Sequence, residues 1–232
     1  MPNEVKLHYF LGRGRAETTR WMLAINQISF KNIPVTTPEE LIELRSSGKL
    51  PFDQMPLLEI NGMNLSQSSG MIRYLSRIGG FYGDNDKEAL YCDMFAGAIT
   101  DFAEASMQAA FQPSKEIAVK ILQERFNKFA PKFELRIKEN GNNFCVGNKI
   151  SFADVMLAEA LSAYKEWIHD LLKNTPLLLS IYEKVIDQAG INSYLSSELR
   201  YPKPDEKYVI DVARVLQRAL PSHMSDKNRF IN

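Results

Sequence analysis

A short run near the N-terminus, Leu7-His8-Tyr9-Phe10-Leu11-Gly12-Arg13-Gly14-Arg15-Ala16-Glu17, carries the clearest chemical signal in the chain. An alternating apolar segment ends in a tyrosine, a Gly-Arg-Gly-Arg turn follows, and a helical pattern begins at once. A phenol, a guanidinium and the free N–H groups of a helix start converge there, an arrangement that favours an anion. If the anion is a thiolate, the site makes a sulfur nucleophile at neutral pH. A strand tyrosine is more often a core residue with a satisfied hydroxyl. Tyr9, however, stands at a strand end, where open α/β sheets bind their ligands. Arg13 and Arg15 both read equally well as solvated turn residues; Arg15 lies nearer the helix start and is the candidate for lowering a thiol pKa, which leaves Arg13 as a surface or structural residue. Gly12 and Gly14 permit close approach to the backbone. The third glycine of a dinucleotide fingerprint is missing.

Two further motifs carry donors. Gln54-Met55-Pro56 precedes an apolar strand, where proline belongs at a start or an edge. Trans is the default for such a bond; a cis bond would turn the Met55 backbone outward to pair with an extended peptide. Gln67-Ser68 opens a predicted helix and reads either as ordinary N-capping or as a second anion site for a carboxylate. His8, His169 and His223 show no ligand spacing, so no metal is expected, and Cys92 and Cys145 read as small core residues rather than nucleophiles.

The elements that position these residues fall into two parts. Up to residue 78 the order is β-α-β-α-β-β-α: strands at Val5–Tyr9 and Ile28–Val35, the latter an edge strand because of Pro34, and a hairpin around Asn61-Gly62. Helices are expected over Ala16–Ile25, after Thr36-Thr37-Pro38-Glu39-Glu40, and from Ser66 to Ile78. Gly79–Asn85 has linker chemistry. Helical patterns follow over Lys87–Gln112, Ser114–Asn140 with a bend at Pro131, and Ser151–Trp167 behind a Ser-Phe-Ala-Asp capping box. A helix is expected from Thr175-Pro176 to Gly190, and a last one over Asp205–Gln217. The turn Gly141-Asn142-Asn143 closes the second of these helices. Expected units are 1–80, an α/β domain; 86–220, an all-helical domain; and 221–232, a flexible tail.

The chain has 232 residues, 28 basic against 28 acidic, and 45% hydrophobic content. Balanced charge gives no global pull toward nucleic acid. The cysteine usage suits a reducing compartment, and no run reaches the ~18 apolar residues of a membrane span. A soluble, cytoplasmic protein is expected.

Together these residues resemble the cytosolic glutathione S-transferases, most closely the alpha class, over Val5 to Arg214. The resemblance rests on Leu7–Phe10 with Gly12–Arg15, on Gln54-Met55-Pro56, on Gln67-Ser68, on Val146–Asp154, and on Asp205-Glu206-Lys207 leading into Ala213-Arg214. It implies a thioredoxin-like N-terminal domain, a helical C-terminal domain and glutathione as co-substrate. It assigns Tyr9 as donor to the glutathione sulfur and Arg15 as electrostatic support. Arg45 would bind the glycyl carboxylate, and Met55 the cysteinyl backbone beside Gln54 and before a cis Pro56. Gln67 and Ser68 would hold the γ-glutamyl carboxylate. Asp101 would reach the glutamyl amine of the neighbouring subunit, with Lys128 standing where the class has an arginine and lacking its bidentate fork. Phe52 matches an aromatic key that enters the partner of a homodimer, near Met94. Phe10, Gly12, Met107, Gln108, Phe111, Ala213 and Leu216 align with the pocket for a hydrophobic electrophile, Gln108 departing from its apolar pattern.

The activity implied is conjugation of the glutathione thiolate to hydrophobic electrophiles, with hydroperoxide reduction or isomerisation as further outlets. A different class of function on the same fold is a non-catalytic carrier of hydrophobic ligands or a structural protein. A glutathione-dependent disulfide reductase would need a cysteine near Tyr9, and none is there.

Overall fold

The computed structural model of the chain describes residues 4–141 and 143–230. Asn142 of the expected Gly-Asn-Asn turn, and Ile231 and Asn232 of the expected tail, lie outside them. The N-terminal part is β1 (Val5–Tyr9), α1 (Glu17–Ile25), β2 (Phe30–Pro34), α2 (Pro38–Ser46), β3 (Leu57–Ile60), β4 (Met63–Ser66) and α3 (Ser68–Gly79). The strands form one mixed sheet in the order β2-β1-β3-β4. β1 runs parallel to β2, in register Val5 to Phe30, and antiparallel to β3, which pairs antiparallel with β4. Pro34 therefore lies on an edge strand, where its missing donor breaks no ladder.

Each helix start has a readable cause. Thr37 caps α2 by accepting from the Glu40 N–H at 3.2 Å, while Glu40 reaches back to the Thr37 N–H, with Pro38 in the first turn. Residues 80–85 lead to α4 (Asp86–Gln108), capped by Asn85, and α5 (Lys115–Glu139), capped by Ser114, runs through Pro131. α4 ends earlier than its pattern suggests, because the Ala109–Phe111 stretch winds into a 3-10 turn. α6 (Phe152–Lys165) is the hub of the helical part; it packs against α1, α4 and α7 (Pro176–Ile186) and is buried along most of its length.

The helix expected to run to Gly190 stops at Ile186, and α8 (Ala189–Leu195) follows with Gly190 inside it. A Cβ on Gly190 would stand 1.9 Å from the Ala24 carbonyl oxygen, so this glycine serves close packing of α8 on α1 rather than helix termination. α9 (Glu206–Val215) begins at Asp205, whose carboxylate accepts from the Tyr208 N–H at 2.9 Å. The stretch expected as a flexible tail is partly packed: Ser222–Phe230 forms 3-10 turns, and Met224 is buried against Val209, Ala213 and Leu220. The apolar face of α9 needs that cover, which accounts for the difference. No helix of the described residues is long and apolar enough to cross a membrane.

Candidate active site

Tyr9 ends β1 and is buried, its ring edge-on to Phe10. Past it the chain turns through Gly12, forms a 3-10 turn over Gly14–Ala16 and enters α1. This turn brings the Arg15 N–H to the Tyr9 hydroxyl, which accepts it at 3.1 Å. Burial pushes the Tyr9 phenol above its ordinary pKa, against the opposing pull of the Arg15 N–H and of the Arg15 and Arg20 charges. The group therefore stays protonated at neutral pH, as a donor must.

Tyr9 opens onto a cleft of about 490 Å3, bordered also by Phe10, Arg15, Leu41, Arg45, Asp53, Gln54, Met55, Pro56, Gln67, Ser68, Leu216 and Arg218. The Met55–Pro56 bond is cis, against the sequence default and as the family resemblance implies. Arg45, in the last turn of α2, donates to the Asp53 carbonyl at 3.1 Å. Gln67 adopts φ +65°, a left-handed conformation costing a non-glycine residue about 1 kcal/mol or more, and its amide donates to Gln54 Oε1 at 3.0 Å. The strained Gln67 leaves the first turn of α3 without a side-chain cap. Ser68 is its first residue.

A second space of about 320 Å3 adjoins the cleft across Arg15, Gln67 and Ser68, and it reaches Met107 and Glu159. The other positions aligned with an electrophile pocket do not share one cavity. Phe111 and Ala213 pack with Val209 in the cluster under α9. Gln108 is exposed and donates to Glu104 Oε1 at 3.1 Å. Gly12 is covered by the Tyr208 ring, which a Cβ there would meet at 2.3 Å. A separate cleft of about 490 Å3 near Asn85, Tyr91 and Cys145 borders none of the residues singled out in the sequence as glutathione-binding.

Several residues of the site escape sequence reasoning. Tyr208 lies on an amphipathic helix where an aromatic reads as packing; Gly12 and Gly14 signal that something approaches closely, without saying what. Arg13 is a tether rather than a solvated turn residue: its side chain is 11% exposed and grips both Glu166 oxygens, at 2.7 and 2.8 Å, and the Tyr201 carbonyl at 2.6 Å. Arg200 joins Glu166 at 3.3 Å, and the Lys203 ammonium sits 3.3 Å from the centre of the Trp167 ring. Below the turn, Glu17 accepts from Trp21, Arg20 and Tyr194 in a buried network that ties α1 to α8. Glu159 of α6 accepts from the Thr18 hydroxyl at 3.1 Å, and burial, aided by the nearby Glu17 charge, pushes its pKa up to about 8.

Asp101 and Lys128 are exposed and border neither space of their own subunit. Phe52 and Met94 project outward, 63% and 60% exposed, and Leu90 and Tyr91, on α4 with Met94, are exposed as well. Among the described residues no group of three His, Cys, Asp or Glu is placed to hold a metal ion.

Family models match both parts of the chain: "Glutathione S-transferase, N-terminal domain" over residues 5–77 and "Glutathione S-transferase, C-terminal domain" over residues 100–198. The chain is 36% identical to glutathione S-transferase A2 of Bos taurus over 221 residues, 94% of this chain and 99% of that protein. It is 33% identical to glutathione S-transferase A1 of Homo sapiens, over 94% of this chain and all of that protein. Among solved structures, the glutathione S-transferase from Ascaris lumbricoides matches with a TM-score of 0.73 at 27% identity, covering 87% of this chain and 98% of that one. With a Tyr9 phenol, a cis Met55–Pro56 bond and an uncapped α3 start around one cleft, and with this similarity along nearly its whole length, the chain belongs to the glutathione S-transferase family.

Proposed function

We propose that this chain joins glutathione to hydrophobic electrophiles, and that the cleft beside Tyr9 holds the tripeptide. One observation carries the reading. A buried, protonated phenol, oriented by the Arg15 N–H, faces a cleft whose other walls offer backbone at Met55 and donors at Arg45, Gln67 and Ser68. Tyr9 donates its O–H to the glutathione sulfur and favours the thiolate over the thiol. Arg15 adds positive charge at the same place. Arg45 binds the glycyl carboxylate; Met55, before Pro56 and beside Gln54, pairs with the cysteinyl backbone; Gln67 and Ser68 hold the γ-glutamyl carboxylate. The thiol proton leaves to solvent and the thiolate forms a carbon–sulfur bond with the electrophile. The released electron pair goes to a leaving group or to an activated double bond that is then protonated.

The apolar side of the site is formed by Phe10, Met107 and Leu216, with Gly12, Phe111 and Ala213 behind them and Gln108 at the rim. The active unit is a homodimer in the cytoplasm. Phe52 enters the partner near Met94, and Asp101, aided by Lys128, serves the glutamyl amine across the interface. Residues 1–80 form the glutathione half and 86–220 the electrophile half.

Substituting Tyr9→Phe tests the reading. A free thiol ionises near pH ~8.5, and lowering that value by about two units raises the thiolate fraction at pH 7 roughly 25-fold. The variant is expected to lose about a hundredfold in kcat/KM with an aryl halide at pH 6.5. The loss shrinks as pH passes the free-thiol value, because glutathione then ionises unaided. Unchanged turnover and an unchanged pKa of the bound thiol would sink the role of Tyr9. A carrier would instead bind apolar dyes tightly and conjugate no member of a panel of aryl halide, enal, hydroperoxide and ketosteroid.

A further inference from the structure

Helix α9 places a second phenol over the turn that follows the first. Tyr208, in the first turns of α9, lies with its ring over Gly12 and its hydroxyl over Gly14. A Cβ on Gly14 would stand 2.5 Å from the Tyr9 hydroxyl oxygen and 2.9 Å from that of Tyr208, so both oxygens converge on one point above the turn. The Tyr208 ring also meets Phe111 edge-on, with centroids 6.5 Å apart, and is half-buried. Its backbone is fixed by the Asp205 cap, and the approach to α9 by the grip of Arg13 on Tyr201 and Glu166.

A phenol oxygen has two acceptor positions and one proton. At Tyr9 the Arg15 N–H takes one acceptor position. We propose that Tyr208 is a positioning residue that donates its hydroxyl to the second acceptor position of Tyr9, so that the Tyr9 proton is left with the glutathione sulfur as its acceptor. This rests on the reading of Tyr9 as the donor to sulfur. Two donors on the phenol oxygen also polarise its O–H and strengthen the bond it makes in turn. Burial pushes the Tyr208 phenol above its ordinary pKa, so it keeps its proton at neutral pH and has one to donate. The charged groups around the pair are Arg15, Arg20, Glu104 paired with Arg15, Asp211 and Arg214 on α9, and Arg218 at the cleft. In this arrangement Gly12 and Gly14 have a definite task. They are the space in which two rings fit against one turn.

The test titrates bound glutathione by the ultraviolet absorbance of its thiolate, in the full-length chain and in its Tyr208→Phe and Tyr9→Phe variants. Tyr208→Phe keeps the ring and its packing and removes only the hydroxyl. The expected result is a thiol pKa raised by about half a unit, with kcat/KM at pH 6.5 down roughly threefold for every electrophile and recovered at high pH. A Tyr9 phenol pKa that rises in the same variant, read from tyrosinate absorbance, supports donation; a purely packing role would leave it unmoved. Superimposable thiol titrations for Tyr208→Phe and the parent, with Tyr9→Phe shifted, overturn the inference and leave the proposed function standing. So does a loss confined to particular electrophiles at constant thiol pKa, which would place the Tyr208 hydroxyl on the electrophile instead. A Tyr9→Phe titration that also fails to move overturns both.

Discussion

Two kinds of helix start divide the labour in this molecule. At the start of α6 every nearby donor is used internally: the Asp154 carboxylate accepts from the Ser151 N–H at 2.8 Å, the Ser151 hydroxyl at 2.6 Å and the Cys145 N–H at 2.7 Å, all away from solvent. Asn85, Ser114 and Asp205 close the starts of α4, α5 and α9 in simpler form. α7 borrows Glu134 of α5, which accepts from the Leu178 N–H at 2.8 Å. By contrast α3, which borders the Tyr9 cleft through Gln67 and Ser68, has no side-chain cap; α1 and the short α8 also lack one, but the turn into α1 spends its N–H groups internally, Arg15 on the Tyr9 hydroxyl and Ala16 on the Arg13 carbonyl. A capped start contributes to stability; an uncapped one beside a cleft leaves its donors and its positive end for an anion from outside. Stability and ligand binding are thus carried by the same kind of feature, used in opposite ways.

If that division is right, substitutions at the two kinds of start separate cleanly. The largest effect belongs to Asp154→Ala, which orphans three buried donors. A loss of about 3 kcal/mol in urea unfolding is expected, with the bound-thiol pKa unmoved in the folded enzyme. Ser68→Ala should do the reverse, raising the KM for glutathione about tenfold while the unfolding free energy changes by less than ~0.5 kcal/mol. A Ser68→Ala variant that is markedly destabilised would break the contrast. Asn85→Ala, an ordinary cap far from the cleft, is expected to cost about 1 kcal/mol of stability and no activity.

The last effect is confined to a pH window. The pKa of Glu159, near 8, stands above the ordinary carboxyl value of 4.5, so its contribution to stability is complete below 4.5 and is lost as pH rises toward 8. Glu159→Gln keeps an acceptor for Thr18 and removes the ionisation. The decline in Tm between pH 5 and pH 8 should flatten by several degrees, and a parallel decline in both proteins would remove Glu159 as its cause.

The uneven legibility of the chain follows from distance along it. Thr37-Pro38-Glu40, the Asn61-Gly62 hairpin and the Ser151-Asp154 box act over a few residues, and each appears in the structure where its spelling places it. Tyr9 was readable because a strand, a turn and a helix start adjoin it in sequence. The residues around it were not. Tyr208 reaches Gly12 across the whole helical part, and Arg13 reaches Tyr201 over 188 residues; neither spelling differs from that of an ordinary surface turn or amphipathic helix. Gly190 is ambiguous in sequence for a related reason: glycine ends helices and admits close neighbours with the same missing side chain, and only the position of Ala24 decides between them. Glu159 occupies an unremarkable polar place in a helical pattern until α1 closes over it.

The tether from Arg13 to Tyr201 and Glu166 also bears on the making of the protein. Chains emerge from the ribosome N-terminus first, and domains generally fold as units as they appear. Here the strand that carries Tyr9 is synthesised long before the partners of Arg13, 153 and 188 residues further on, and before the helix that covers Gly12 and Gly14. A nascent glutathione half can form its sheet early, yet its reactive turn is clamped and covered only after the helical part has been made. Synthesis of the helical part is thereby built into the geometry of the site.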